Sequence, residues 1–385
     1  MSRWRSLAGV AALLGGSVAV GVGWSLDEAQ AVHSSLAALA WATTTALGAL
    51  FWLMLGIVTR TSWFVVLRRT AEGFVASLPL LALLFVPLLF ALDVLYEWVP
   101  GGHGMSHHAR EAVEKKRVYL NAPFFVGRSA FYWVFFVALG GTLLAWSLAA
   151  DGARAGERIR RMRGLSAPGF FALSVVGTFA ATDWLMTLDP AWYSTMFGGY
   201  VLMGGFVSAG GLLALTAHLS QRAGRLEPFN AEHRQALGTV VFATVCAWAW
   251  FAFAQFYLIW IANLPEEIRW YLDRTRGGWT WLGVGYVIAR FPIPFALLLF
   301  KPIKRHGVAL AAIGAWLALA HYANMAWIVL PRLHPEQVTL SWMDAAAWLT
   351  AAGALATGHA YWTSVAPTVP VTDPRYAAAL EYQGT

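Results

Sequence analysis

Ten long apolar runs constrain the fold of this chain more than any other feature of its sequence. A helix of about 20 apolar residues crosses the roughly 30 Å of hydrocarbon in a bilayer. Backbone groups in lipid must be hydrogen-bonded within the protein, so the runs are predicted to be helices and not strands. The sequence therefore predicts an all-α integral membrane protein with about ten transmembrane helices. The runs lie near 5–24, 34–58, 73–92, 129–150, 167–188, 198–219, 236–263, 278–300, 307–330 and 341–362.

Composition supports a membrane protein and excludes several other classes. Only 12% of the residues are charged and 58% are hydrophobic, whereas about a quarter of a typical soluble domain is charged. The net charge of +7 does not indicate nucleic-acid binding, because the charges lie in short loops between apolar runs. The single cysteine, Cys246, excludes a disulfide framework, a Cys-ligated iron–sulfur cluster and a CxxCH haem attachment.

Lysine and arginine residues occupy alternate loops between the runs. Because cytoplasmic loops carry the excess of these residues, both termini are predicted to be cytoplasmic. The opposite loops at 25–33 and 189–197 contain neither residue type. The first run is long for a cleaved signal peptide, so we expect a retained helix. The cationic loops contain Arg3 and Arg5; Arg60, Arg68 and Arg69; Arg154, Arg158, Arg160, Arg161 and Arg163; Arg222, Arg225 and Arg234; and Lys301, Lys304 and Arg305.

Two connecting segments are longer than turns. The outer loop 93–128 contains a stretch from His108 to Tyr119 that is predicted to form a short amphipathic helix on the membrane surface. The tail 363–385 contains several prolines and is expected to be an extended cytoplasmic strap that lies along a partner. The histidines of the outer loop have no carboxylate at ligand spacing, so no metal is expected there; they are His103, His107 and His108.

Polar residues inside the apolar runs are the candidate functional residues, because each is costly in hydrocarbon and is expected to face the interior of the bundle. One set lies toward the outer side and consists of Asp183, Gln255, Arg290, His321 and Asn324. A second set lies toward the cytoplasm or at helix ends and consists of Glu72, His218, His359, Asp93 and Asp344. Together they are candidates for a proton path or the lining of a quinone-type cavity, and whether they connect stays open.

Each candidate also has a structural alternative. Arg290 is as well explained by pairing with Asp183 or with a backbone carbonyl as by a functional role. Gln255 is more often a hydrogen bond between helices than a ligand contact, and groups near helix ends reach water. Asp183 is the strongest functional candidate, because burial without a nearby cation would let a carboxyl group exchange a proton near neutral pH.

Two short motifs carry geometric predictions. Pro292 and Pro294 are expected to kink the eighth run just after Arg290, and irregular backbone at that depth favours a neighbouring cavity. The stretch GGYVLMGGFVSAGG at 198–211 has small residues four positions apart, as in Gly205 and Ala209. This spacing predicts close packing of helices and no chemistry.

Three longer motifs resemble a known family. They are KKRVYLNAPFFVGRSAFYW (115–133), FAATDWLMTLDPAWYSTMFGGY (179–200) and FAFAQFYLIWIANLPEE (251–267). Together they resemble the F membrane subunit, ActF, of bacterial alternative complex III, in the NrfD/PsrC-like family of quinone-interacting membrane proteins. The chain departs from the family at Ala191, where a histidine is expected. The resemblance assigns the family-motif positions Asp183, Trp184, Asp189, Gln255, Asn263, Pro265 and Glu266, with Arg290 as a further candidate.

The resemblance implies two four-helix bundles, formed by spans 2–5 and 6–9, with spans 1 and 10 at the periphery. The corresponding segments are a first helix with a short outer loop (1–33), the two bundles (34–197 and 198–340), a last helix (341–362) and the tail (363–385). Pro265 is then expected to end the seventh helix, with Glu266 and Glu267 in the outer interface, available to docked subunits.

The function implied is that of a cofactor-free subunit of a quinol:cytochrome c oxidoreductase in the bacterial inner membrane. Such a subunit supplies a proton pathway or quinone-type cavity and a docking surface, and is not catalytic alone. The expected partners are a sister quinol-oxidising membrane subunit, an iron–sulfur subunit, multihaem cytochrome c subunits, a terminal oxidase and lipid. The alternatives are a scaffold without chemistry and a secondary transporter. An interrupted helix is expected in one half only, which argues against the transporter.

Overall fold

The computed structural model describes residues 2–100, 107–152 and 154–383, and all regular secondary structure in these ranges is helical. Four short 3-10 helices accompany the α-helices, at Trp63–Val66, Val86–Phe90, Met186–Leu188 and Leu330–Arg332. The α-helices are α1 (Ser2–Leu26), α2 (Glu28–Val58), α3 (Arg68–Val75), α4 (Leu78–Phe85), α5 (Leu92–Leu95), α6 (His107–Lys115), α7 (Ala122–Ala149), α8 (Ala155–Trp184), α9 (Phe197–Arg222), α10 (Ala231–Ala262), α11 (Pro265–Asp273), α12 (Trp279–Arg290), α13 (Pro292–Leu299), α14 (Lys301–Arg305), α15 (Gly307–Val329), α16 (Trp342–Val365) and α17 (Tyr376–Leu380).

Nine helical segments of the described chain are long and apolar enough to cross a membrane, which confirms the predicted class and nine of the ten predicted spans. The tenth prediction, at 341–362, corresponds to α16, which has 24 residues but many alanine and polar residues that lower its mean hydropathy. The nine are Leu7–Leu26, Glu28–Val58, Trp63–Phe90, Ala122–Ala149, Ala155–Leu188, Phe197–Arg222, Ala231–Ala262, Trp279–Leu299 and Gly307–Arg332.

Helices α2 and α9 form the centre of the molecule, and they are the most buried of the nine segments. They pack against each other, and α15 contacts both. Glycine permits this close approach: a Cβ added at Gly205 would lie 2.0 Å from the carbonyl oxygen of Thr44, and one at Gly211 would lie 2.5 Å from that of Gly314. The predicted close packing of the small-residue stretch is therefore confirmed. Helices α1 and α16 pack along each other, and α16 also contacts α2.

Two of the membrane segments are interrupted. Helix α12 ends at Arg290, Phe291 has φ −121° and ψ −71°, and α13 begins at Pro292, so the predicted kink is confirmed. The third segment is also broken, between the end of α3 at Val75 and the start of α4 at Leu78. The expectation of an interruption in one half only is therefore wrong. The physical reason is Pro79, which has no N–H to donate to the carbonyl of Val75 and so breaks the helical ladder.

The end of α10 differs from the prediction. The helix ends at Ala262, and Asn263 adopts the left-handed conformation with φ 50°, its N–H donating to the Ile259 carbonyl. Asparagine tolerates this conformation better than most residues and ends helices for that reason. Pro265 was predicted to end this helix, and that prediction is wrong. It is the first residue of α11, a position where its missing N–H costs nothing.

The C-terminal tail was expected to be an extended strap along a partner. It instead folds back onto its own chain. Helix α17 packs against the 3-10 helix Trp63–Val66, and the ring of Tyr382 lies 5.6 Å from that of His233. The helix predicted for His108 to Tyr119 is present but shorter, over His107–Lys115. His103 and the side chains of His107 and His108 lie outside the described part of the structure.

Candidate functional site

The carboxylate of Asp183 is fully buried near the end of α8 and accepts four hydrogen bonds. Oδ1 accepts from the Tyr119 hydroxyl at 2.8 Å and from Arg128 Nη2 at 3.1 Å. Oδ2 accepts from Arg128 Nε and from the Tyr132 hydroxyl, each at 2.7 Å. Proton exchange near neutral pH was predicted for Asp183 on the condition that no cation lies nearby. Arg128, and not Arg290, lies beside it, so the condition is not met. The site has the geometry of a structural ion pair.

The partners of Asp183 are themselves held in place. The Arg128 guanidinium lies 3.7 Å from the centre of the Tyr119 ring and 4.3 Å from that of Phe124. Burial, together with the charge of Asp183, raises the pKa of the Tyr119 hydroxyl to about 12, so this group donates its proton in a hydrogen bond and does not ionise at neutral pH. The adjacent Trp184 donates from Nε1 to Ser129 Oγ at 3.0 Å. The predicted motif residues Asp183 and Trp184 therefore fix the end of α8 to α7 through hydrogen bonds.

Arg290 forms a second polar cluster, separate from Asp183, where α9, α12 and α15 meet. Its guanidinium is fully buried. It donates from Nη2 to the Gly204 carbonyl at 2.7 Å and from Nη1 to His321 Nδ1 at 2.8 Å. Asn324 Oδ1 lies 3.5 Å from Nη1. The structure thus brings together Arg290, His321 and Asn324 as predicted, and of the two pairing alternatives it shows the carbonyl and not Asp183.

The contacts of His321 define its protonation. Arginine has no acceptor atom, so the ring nitrogen facing Arg290 must be the acceptor. His321 Nε2 then carries the hydrogen and donates to Thr44 Oγ1 at 2.8 Å. The Thr44 hydroxyl in turn donates to the Ala40 carbonyl at 2.6 Å. His321 is therefore a neutral link between Arg290 and the central helix α2, which the sequence alone did not connect to this cluster.

The charge of Arg290 has no acidic partner among the described residues, and none of their ion pairs includes it. Arg290 Nε and the indole nitrogen of Trp248 are buried without a hydrogen-bond partner, and the guanidinium carbon lies 4.5 Å from the centre of the Trp248 ring. A buried cation without a counter-charge is costly. Such a residue inside a membrane protein is by default a functional-site candidate.

Two tyrosines extend the Arg290 cluster away from the arginine-rich side. Asn324 Nδ2 donates to the Tyr200 hydroxyl, and that hydroxyl lies 3.3 Å from the hydroxyl of Tyr286. Neither tyrosine was a candidate in the sequence, because aromatic residues are common in every span. The cluster therefore joins four helices: α2, α9, α12 and α15.

A narrow apolar slot lies between the two clusters. It is bounded by α2, α8 and α9, and its wall includes Thr44 on one side and Trp184 on the other. Its volume is about 20 Å³, room for about one water molecule. The slot shares Leu39 with a larger groove of about 430 Å³ between α1, α2, α16 and the 3-10 helix Val86–Phe90. Gly21 and Pro87 line this groove and are exposed, so it opens to the surroundings of the protein.

Glu72 belongs to a third cluster, on the arginine-rich side. Its buried carboxylate lies 2.8 Å from Arg69 Nη1 and 3.4 Å from Arg68 Nε, and it accepts from Trp362 Nε1 at 3.1 Å. The two arginines also pair with Asp151 and Asp373, each at 2.6 Å. With Arg375, which also pairs with Asp373, the network contains three arginines and three carboxylates, so Glu72 is not an isolated proton carrier. The sequence missed the partners because they are distant in the chain.

The remaining predicted residues lie apart from these clusters. Gln255 donates to the Tyr271 hydroxyl at 3.1 Å and accepts from Ser194 at 3.3 Å, which matches the structural alternative. Half-buried His218 lies beside Gly307, and His359 packs on the Phe74 ring at 5.2 Å. The outer helix ends place Asp93 and Glu266 on the exposed surface, whereas Asp344 accepts from Ser34 at 2.6 Å. The described contacts do not join the predicted residues into one track.

The outer loops contain a cluster around Asp189. Burial raises the pKa of Asp189 above its ordinary value, and the charge of Arg274 offsets part of this rise. Burial lowers the pKa of Arg274 to about 10, and its guanidinium donates to the carbonyls of Trp270, Trp327 and Ile328. The motif tryptophan Trp192 stacks on Trp270 with ring centres 4.5 Å apart. These contacts fix the outer ends of the helices.

No protein-family model and no curated protein matches this chain. Within the described ranges, no group of three or more histidine, cysteine or acidic residues could hold a metal ion. Sequence reasoning missed Thr44, Tyr200 and Tyr286 in the Arg290 cluster. It also missed Tyr119, Arg128 and Tyr132 beside Asp183. One signal was available: Arg128 and Tyr132 are four residues apart at the start of a span and so share a helix face.

Proposed function

We propose that this chain is a membrane subunit of a quinol-oxidising respiratory complex similar to alternative complex III. In this proposal α2, α3–α4, α7 and α8 form one four-helix bundle, and α9, α10, α12–α13 and α15 form the other. Within these groups α2 packs on α8, and α9 packs on α10 and α15; α2 also packs on α9 and α15, so the two proposed bundles share a central contact. Both termini lie on the arginine-rich, cytoplasmic side of a bacterial inner membrane.

The observation that carries the proposal is the pair of cavities that share Leu39. The groove opens on the flank of α1, a helix with large exposed apolar side chains such as Leu14 and Val18, as expected of a lipid-facing helix. The slot leads inward from Leu39 to Thr44, which is hydrogen-bonded to His321 and through it to Arg290. In this proposal a lipid-soluble molecule enters the groove from the bilayer, and side chains near Leu39 move to widen the slot toward the buried polar cluster.

The chemistry of this route fits a quinone. The slot is lined by apolar side chains apart from Thr43 and Thr44. The groove is mostly apolar, as an isoprenoid chain requires, and its hydroxyl side chains are Ser17, Ser25, Ser35 and Thr350. A quinone-type headgroup would supply redox chemistry whose electrons pass to haem and iron–sulfur cofactors in partner subunits. This chain supplies the cavity, the hydroxyl of Thr44 and the uncompensated positive charge of Arg290, which favours electron-rich groups nearby.

The outer surface is the docking face in this proposal. Asn263 and Glu266 are exposed where α10 turns into α11, so they are available to an iron–sulfur or multihaem partner. The tight arrangement of Asp183, Arg128 and the two tyrosines then maintains the shape of the outer face. This gives Asp183 a role in assembly and leaves the proton route to the Arg290 cluster.

The test is to purify the complex through a tag on this chain, identify the co-purifying proteins and measure quinol-dependent electron transfer. Leu39→Phe should narrow the junction of groove and slot and lower quinol oxidation by about tenfold, which corresponds to about 1.4 kcal/mol. Leu83→Phe, on the exposed side of the neighbouring α4, is the matched control and should keep full activity. Haem-free preparations, or equal activity of Leu39→Phe and the control, would contradict the proposal.

A secondary transporter is the second candidate, because two membrane segments are interrupted. The breaks at Ser77 and Phe291 fall in the third and eighth of the ten predicted spans, that is, in the third span of the first five and the third span of the last five. Paired broken helices are typical of transporters. The transporter predicts solute flux from the purified chain alone in sealed vesicles, whereas the respiratory subunit predicts none without its partners.

A further inference from the structure

A group of arginine side chains meets where the C-terminal tail contacts the ends of α2 and α8. Arg163 of α8 lies within electrostatic range of Arg60, Arg160 and Arg375, and Asp373 is the main acidic group acting on it. That aspartate is already paired with Arg68 at 2.6 Å and with Arg375 at 2.9 Å. The group therefore carries excess positive charge.

The arginines nearest this junction lack partners that would neutralise them. Across the described residues, neither Arg60, Arg160 nor Arg163 takes part in an ion pair, although Arg161 of the same helix pairs with Glu157 at 2.6 Å. Arg163 Nε is buried without a hydrogen-bond partner. Like charges held together in this way favour an anion that can accept hydrogen bonds from several guanidinium groups.

The chain itself builds the site from three parts. Arg375 Nη1 donates to the Gly56 carbonyl in the last turn of α2 at 3.3 Å, and Arg60 follows four residues later. A Cβ at Gly156, in the first turn of α8, would lie 4.0 Å from Pro374 Cγ of the tail. The end of α2, the start of α8 and the tail therefore converge at one place.

The depth of Arg163 indicates the source of the anion. Helix α8 has 30 residues and is about 45 Å long, so it exceeds the roughly 30 Å of hydrocarbon by about 15 Å. Arg163 is eight residues past the first residue of α8, about 12 Å along its axis. If α8 ends at the opposite face of the hydrocarbon, Arg163 lies at the level of the lipid headgroups.

We propose that Arg60, Arg160, Arg163 and Arg375 bind the phosphodiester headgroup of an anionic phospholipid. The fork of donors on each guanidinium matches phosphate oxygens. Clustered basic residues at the membrane surface attract anionic lipid. The bound phosphate would neutralise the excess charge beside Asp373 and so hold the tail against α2 and α8. The proposal does not depend on quinol chemistry.

The experiment uses the full-length protein in nanodiscs that contain a defined mixture of phosphatidylglycerol and phosphatidylcholine. Native mass spectrometry then counts the phosphatidylglycerol molecules that remain bound after the protein is released from the nanodisc. Removing one clustered arginine should reduce retention about fivefold, and Arg60→Gln with Arg163→Gln should reduce it further. Arg158→Gln is the matched control, because Arg158 lies about 140° around α8 from Arg163, and it should retain lipid like the unaltered protein.

Two further arms separate the sources of the anion and a loss of folding. Millimolar inorganic phosphate should leave lipid retention unchanged; displacement of the lipid by phosphate would identify a soluble anion site and overturn the lipid assignment. Arg163→Lys keeps the charge and loses the fork, so retention should fall between that of the unaltered protein and Arg163→Gln. Equal retention by Arg163→Gln and Arg158→Gln, with unchanged helix content, would overturn the proposal.

Discussion

Arg128 and Asp183 form a two-point ion pair between α7 and α8, with Nε 2.7 Å from Oδ2 and Nη2 3.1 Å from Oδ1. Tyr119 and Tyr132 donate to the same carboxylate, so every described hydrogen bond to the carboxylate of Asp183 comes from the segment 119–132. The ion pair therefore fixes the C-terminal end of α8 to the beginning of α7.

Asp183→Asn is expected to lower the free energy of unfolding by about 3–5 kcal/mol. The substitution leaves Arg128, which is 11% exposed, without its counter-charge in a poorly solvated position. The measurement is unfolding of the purified protein in detergent, followed by helix content against denaturant.

The companion variants separate charge from packing. Replacing both partners, as in Arg128→Met with Asp183→Leu, should cost less than Asp183→Asn alone, because no charge remains unpaired. Tyr132→Phe removes one hydrogen bond to a charged group and should cost about 1.5–3 kcal/mol. An Asp183→Asn protein as stable as the unaltered one would show that the ion pair does not hold the helices.

Gly205→Ala is expected to disrupt the contact of α2 with α9. Its new Cβ would lie 2.0 Å from the Thr44 carbonyl oxygen, and backbone cannot move aside as a flexible side chain can. Overpacking of this kind costs about 1–3 kcal/mol or more. The measurement is the same unfolding experiment.

Gly141→Ala in α7 is the matched control, because a Cβ there meets nothing within 4 Å. Alanine favours a helix over glycine by about 1 kcal/mol, so this variant should be as stable as the unaltered protein or slightly more stable. Similar losses at both positions would mean that the α2–α9 contact is not specially tight.

The hold of the tail is expected to depend on pH through Asp373. Burial alone would raise the pKa of this carboxyl, but hydrogen bonds and charges from Arg375 and Arg68 hold it below its ordinary value of 3.8. A lowered folded-state pKa stabilises the folded form above 3.8 and loses this effect as pH falls through the folded value. The tail should therefore stay bound from neutral pH down to about pH 4 and loosen below it.

Hydrogen exchange of the segment 366–383, compared with that of α9 in the same sample, measures this release. Asp373→Asn should loosen the tail already at neutral pH, because Arg68 and Arg375 lose their shared partner. Protection of the tail that is the same at pH 3 and pH 7 would contradict the role of Asp373.

The sequence predicted the parts of this molecule that depend on local pattern. Apolar length predicted ten spans, nine of which the described structure confirms. The proline pair predicted the break after Arg290, and spacing along α15 put His321 and Asn324 on one face. These features follow from periodicity and from backbone chemistry, which short stretches of sequence contain. The class of protein and part of the Arg290 cluster could therefore be predicted from the sequence.

The partners of the predicted residues could not be predicted from the sequence, because they come from distant parts of the chain. Asp183 and Tyr119 are 64 residues apart, Thr44 and His321 are 277 apart, and Arg68 and Asp373 are 305 apart. No periodicity links such pairs. Arg128 was read as part of an outer loop and not as the counter-charge of a span, so Asp183 was assigned a proton-exchange role that its contacts do not favour.

The return of the tail to α3 has a consequence for biogenesis. Arg68 is buried, yet one of its two acidic neighbours, Asp373, is synthesised 305 residues later. The first half of the protein therefore enters the bilayer with this part of its arginine-rich face unfinished. Maturation of that face has to wait until Asp373 has been added, so a nascent chain stalled before Asp373 would carry an immature surface.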